Sequence, residues 1–221
     1  MKLEDKTTLN ILARSSNSIF LLISSVIMVR YLSKDDYGTF LQIMLLLNTI
    51  VMLAFIGLPQ SVYYYYPQAH DRKRLVKQTF TIAIAISIAI AVLVYVLRTH
   101  IAQWLNNPDL VPLTPLLALM ILCRGPVIFR DPILISQNAL LLNSLATLLT
   151  CLLSYVPMFV AIYLGVDLRG LLLCILGGSI ANLALLFLMI KYIFKLTEKE
   201  TEIYLGEKIN NVSIWKQLKY S

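Results

Sequence analysis

Residues 30–67 decide the reading: Arg30-Tyr-Leu-Ser-Lys-Asp-Asp-Tyr-Gly38, an apolar run from Thr39 to Ile56, then Gly57-Leu-Pro-Gln-Ser-Val62, four tyrosines (Tyr63 to Tyr66) and Pro67. A short charged turn here joins the apolar segment Ile11 to Val29 to a second of similar length. Each is close to the roughly 20 residues with which a helix crosses about 30 Å of hydrocarbon. The stretch predicts a transmembrane helical hairpin. Ser33 stands three residues before Asp36, a spacing at which a hydroxyl and a carboxylate satisfy the first free amides of a helix, so the second span is expected to begin at Ser33. Gly57 and Pro59 are expected to interrupt that helix near its far end.

The whole chain fits this reading. Its 221 residues are 58% hydrophobic and 14% charged, with mean hydropathy +0.76, which is membrane-protein composition. The formal charge of +7 does not point to nucleic acid, because in a membrane chain the placement of Lys and Arg is more informative than their sum. Cys123, Cys151 and Cys174 lie in apolar runs at spacings that match no zinc or redox motif, so they read as small core residues. No metal and no cofactor is expected. The first apolar run ends in Arg30-Tyr31-Leu32 with no small-residue cleavage site, which predicts an uncleaved first span.

The predicted fold class is all-α integral membrane. Six transmembrane helices are expected at about 9–29, 33–60, 80–97, 110–136, 140–164 and 171–194, with 1–194 forming one lobe and 195–221 a cytoplasmic tail. In the third span the Ile/Ala alternation mimics a strand, but an isolated strand leaves its amides unpaired in lipid, so a helix is expected. Ala83, Ser87 and Ala91 then share one face and admit a close neighbour, as do Gly177 and Ala181 in the sixth span. The end of the fourth span stays open between Cys123, before Arg124-Gly-Pro126, and Ser136, past Arg130-Asp-Pro132. Six spans put both termini on one side. That side carries fifteen of the nineteen basic residues, against Arg30, Lys34, Arg98 and Arg169 on the other, so the positive-inside rule predicts both termini in the cytoplasm.

No Gly-rich phosphate loop, paired Cys or His motif, or hydrolase constellation is visible, and the chain reads as a non-enzyme. Polar residues inside the spans are more informative. Arg14 and Ser18 share a face of span one with Ser25, and Asn17 lies beside it. Gln42, Thr49 and Gln60 share a face of span two if the helix stays regular, with Asn48 off that face; Asn143, Thr147, Thr150 and Ser154 form a stripe on span five. Membrane arginine is costly, so Arg14 and Arg124 are expected to face a cavity or the interface. One reading has Arg14 snorkelling to headgroups and the hydroxyls joining helices. The other is a wet cationic cavity for an anionic polar ligand. Tyr63 and Tyr64 likewise read either as part of an aromatic belt or as stacking platforms for sugar rings.

At Arg30-Tyr-Leu-Ser-Lys-Asp-Asp-Tyr-Gly38, Gly57-Leu-Pro-Gln-Ser-Val62 and Tyr66-Pro67 the chain resembles the polysaccharide biosynthesis and O-antigen flippase family, within the superfamily that also holds multidrug exporters and lipid II flippases. The resemblance implies one six-helix lobe of a two-lobed, multi-pass transporter of the bacterial inner membrane. It further implies that residues 195–221 lead toward a second lobe beyond this chain. The implied substrate is an undecaprenyl-diphosphate-linked oligosaccharide, moved from inner to outer leaflet by alternating access during polysaccharide, O-antigen or lipopolysaccharide synthesis. Substrate-cavity candidates are Arg14, Asn17, Gln42, Asn48, Gln60, Tyr63, Tyr64, Arg124 and Arg130. Guanidinium forks suit the diphosphate, Asn and Gln suit sugar hydroxyls, and the other contacts are membrane lipids. The alternatives are a cation-coupled multidrug exporter, which would need buried carboxylates where only Asp131 comes near, and a structural membrane subunit.

Overall fold

The computed structural model describes residues 3–69, 72–137 and 139–191; the side chains of residues 3–7, 9, 10 and 14 lie outside that description. Apolar runs broken by Gly, Pro and short polar turns become nine helices among the described residues, with no strand. They are α1 Leu3–Tyr31, α2 Lys34–Ala54, α3 Leu58–Gln68, α4 Arg72–Val96, α5 Arg98–Trp104, α6 Leu110–Val127, α7 Arg130–Ser136, α8 Leu140–Tyr163 and α9 Leu168–Lys191. Six segments are long and apolar enough to cross a membrane: Ile11–Tyr31, Lys34–Ala54, Arg72–Val96, Leu110–Ser136, Leu140–Tyr163 and Leu168–Lys191. The chain divides into two compact units, Met1–Leu183 and Ala184–Ser221. Of the second, the described part is the last turns of α9. The sequon at Asn211 and the expected helix at Ile214 fall outside the described residues.

Ser33 caps α2 as its spacing predicts, its hydroxyl oxygen accepting the Asp36 amide at 3.1 Å. The Asp36 carboxylate turns back to accept the Ser33 hydroxyl at 2.7 Å, so the pair is closed through side chains. The second span stops at Ala54 and does not run to Gln60. Gly57 takes φ +77°, a left-handed conformation open to glycine at little cost, and Pro59 has no amide proton to continue a helical ladder. The chain restarts as α3.

Other boundaries shift for similar local reasons. Arg72, Lys73, Arg74 and Lys77, which precede the third span expected at about 80–97, form the first turns of α4, where Arg72 stacks 5.6 Å over the Tyr66 ring. Asp167 Oδ1 accepts the Gly170 amide at 3.1 Å, which starts α9 at Leu168 and not Leu171. The fourth span continues past Cys123 to Ser136, with a break at Ile128 and Phe129 that separates α6 from α7.

Because lipid chains are as apolar as leucine, helix association in a bilayer depends on close packing and hydrogen bonds more than on burial. The small-residue face Ala83, Ser87, Ala91 of α4 is buried, and Ser87 together with the Phe55 ring occupies the space that a side chain at Gly125 of α6 would need. The α8–α9 approach uses Gly178, where a Cβ would stand 2.5 Å from the Leu153 carbonyl oxygen; at Gly177 it would meet nothing within 4 Å. The expected contact at Gly177 is therefore one residue out of register. α6 receives α2, α4 and α5, α3 packs on α7, and α1 packs on α8 with Phe20 stacked on Tyr155 at 5.7 Å.

Candidate functional site

A cleft of about 610 Å³ opens between α2, α3, α6 and α7 on one side and α8 and α9 on the other. Both helix breaks border it: Phe55, Ile56 and Gly57 from the first, Val127 and Ile128 from the second. The Phe55 and Phe129 rings meet edge to face at 5.8 Å where the two interrupted helices pass.

Arg124 reaches the cleft from near the middle of the Leu110–Ser136 span, and among the described residues its hydrogen-bond partner is Asn48 Oδ1 at 3.4 Å. Most of its donors are left for water or a ligand, since a guanidinium offers five. Arg130 is far more occupied. Its Nε and Nη2 both lie 3.0 Å from Asp131 Oδ1, Nη2 also donates to Thr147 Oγ1 at 3.5 Å, and Nη1 donates to Thr150 Oγ1. Arg130 thus clips α7 to α8. On the far wall, Asn182 Nδ2 donates to Ser154 Oγ at 3.0 Å. Asn182 is only 8% exposed and lines the cleft, yet its Oδ1 has no hydrogen-bond partner among the described residues. Two guanidiniums and one carboxylate leave the lining formally cationic.

Four of the nine residues chosen from the sequence, Asn48, Gln60, Arg124 and Arg130, line this cleft. Gln42 does not. It lies near the middle of α2, accepting from Asn107 Nδ2 at 2.7 Å and donating to the Leu105 carbonyl at 3.4 Å, and so ties α2 to the turn before α6. The face expected for Gln42, Thr49 and Gln60 assumed a regular helix; with the break at Gly57, Gln60 and Asn48 line the cleft while Gln42 and Thr49 do not. Tyr63 and Tyr64 are exposed on α3 outside the cleft lining, while Tyr66 is buried and its hydroxyl accepts from Gln137 of the α7–α8 turn. Asn17 is exposed on α1, away from the lining; the side chain of Arg14 lies outside the described residues. Serines on α1 serve their own helix, Ser24 and Ser25 bonding the carbonyls of Leu21 and Leu22. The span-five stripe divides: Thr147 and Thr150 hold Arg130, Ser154 meets Asn182, and Asn143 is fully buried with neither amide atom partnered among the described residues. Sequence reasoning missed Asp131 as a partner of Arg130, and missed Ser179 and Asn182. The three-residue spacing of the last two on one helical face was the available signal.

The family model described as polysaccharide biosynthesis protein matches residues 3–217, nearly the whole chain. The chain belongs to the polysaccharide biosynthesis protein family. Its family gives the chain a role in polysaccharide synthesis, and its six apolar spans make it a multi-pass membrane protein. No curated protein and no solved structure is a significant match to it.

Proposed function

We propose that this chain is one lobe of a transporter that carries a lipid-linked oligosaccharide, joined through a diphosphate to a polyprenyl chain, from the inner to the outer leaflet of a bacterial inner membrane. Both termini face the cytoplasm, and a second lobe beyond this chain completes the cavity for alternating access. One observation carries the reading: Arg124, near mid-span, faces an open cleft with Asn48 as its hydrogen-bond partner among the described residues. A cation at that depth costs about 2.5–3.5 kcal/mol on insertion scales and is characteristic of a substrate path. A planar guanidinium also matches phosphate oxygens in a two-pronged fashion that an ammonium does not. A cleft of about 610 Å³ is in the range of small-ligand sites, enough for a diphosphate and the first sugars. The polyprenyl chain extends into lipid. Arg14 stays a candidate for the same path.

The test is Arg124→Ala in the native host. Surface polysaccharide export is expected to fall at least tenfold while the protein reaches the membrane at normal levels. Normal export would remove Arg124, and with it this cleft, from the path. Asp131 is the observation that favours a cation-coupled exporter, being a carboxylate in the cleft, but it already compensates Arg130. Drug resistance without a polysaccharide phenotype would select the exporter.

A further inference from the structure

The cleft is not polar all round. Its α2 and α6 side presents mainly Val51, Met52, Phe55, Ile56, Val127 and Ile128, with Asn48 engaged by Arg124 and Gln60 on the adjoining α3, whereas its α8 and α9 side presents Thr150, Ser154, Ser179 and Asn182. The two arginines belong to the segment that runs along the apolar side, and Arg130 bridges to the other through Thr147 and Thr150. Resting on the transport reading above, we infer that the two walls sort one amphiphilic ligand. The saccharide lies on α8 and α9, the first isoprene units lie on α2 and α6, and the diphosphate sits between them at the guanidiniums.

Hydrogen-bonding capacity forces this orientation. A sugar hydroxyl pressed against Met52 or Ile56 gives up its water and gains nothing, whereas an isoprene unit there loses nothing relative to lipid. The opposite wall offers what a saccharide needs. Asn182 is nine-tenths buried at the cleft wall, with its Nδ2 given to Ser154 Oγ and its Oδ1 covered and unpartnered among the described residues, so a saccharide that draws this amide toward the cleft completes a half-satisfied pair. Asn182 and Ser154 are accordingly assigned as specificity-determining residues that read the saccharide and not the lipid.

The experiment measures binding of two probes to the full-length protein in nanodiscs: a C55 polyprenyl diphosphate, and the same lipid bearing a disaccharide. Wild type is expected to bind the sugar-bearing probe about tenfold more tightly, the gain of a small set of hydrogen bonds. Asn182→Leu should abolish that preference and leave the sugarless probe within twofold of wild type. Should Asn182→Leu fail to fold, as judged by gel filtration, Ser154→Ala carries the same expectation. Met52→Asn should weaken both probes alike. A polar-wall variant that retains the sugar preference, or that weakens both probes equally, overturns the inference while leaving the transport reading intact. If wild type binds neither probe, or Arg124→Ala changes neither affinity, the transport reading fails and takes this inference with it.

Discussion

A guanidinium placed inside a membrane span is kept only where something repays its desolvation, and two such groups lie six residues apart in the segment Leu110–Ser136. Their surroundings assign them different roles. Arg130 is spent on Asp131, Thr147 and Thr150, so removing it takes the guanidinium from a largely shielded carboxylate and unclips α7 from α8. Breaking a buried pair costs about 3–5 kcal/mol, and with Asp131 about a third exposed the expected loss for Arg130→Ala is nearer 2 kcal/mol, read as a lower unfolding midpoint in detergent. Arg124→Ala removes one long hydrogen bond and should leave that midpoint within a degree or two of wild type while transport is lost. Equal destabilisation by both would refute the division. Arg124 was legible in the sequence as a costly residue and Arg130 only as a cavity candidate, and their difference was not legible, because two of the partners of Arg130, Thr147 and Thr150, lie on another helix 17 and 20 positions away. Asn182 was hidden for a related reason. In an otherwise small and apolar segment it reads as helix glue until the opposite wall is known.

At the scale of helices, the cleft exists because two spans are interrupted at the same place. Gly57 supports the first interruption through its positive φ alone, since a Cβ there meets nothing within 4 Å. Gly57→Ala should therefore cost about 1–2 kcal/mol of pure backbone strain, measurable as a lowered midpoint with no packing defect to repair. A midpoint unchanged from wild type would mean that the left-handed turn is not required. Gly178 makes the opposite case, its constraint being contact and not conformation. Gly178→Ala drives a methyl group into the Leu153 carbonyl and should cost about 1–3 kcal/mol, whereas Gly177→Ala is expected to be neutral or slightly stabilising. The six spans, the Ser33 cap and the break at Gly57 could all be read from residue type and order. The register of the α8–α9 contact could not, since it depends on what the neighbouring helix offers.

For the molecule as a whole, basic residues gather on the side of both termini, which predicts cytoplasmic ends. In a protein with Cys123, Cys151 and Cys174 replaced by serine or alanine, Trp104→Cys, at an 87% exposed position, should react with an impermeant thiol reagent added to intact cells, and Lys73→Cys should not. The reverse pattern would invert the topology and the direction of export. The proposed role of the Arg124 cleft is to carry a lipid-linked saccharide across the bilayer. It is tested most directly in proteoliposomes holding the full-length protein and a fluorescent polyprenyl-diphosphate oligosaccharide, by following the fraction that a membrane-impermeant quencher can reach. Wild type is predicted to equilibrate the label between leaflets far faster than Arg124→Ala, which should match protein-free vesicles; equal rates for wild type and Arg124→Ala would contradict the account.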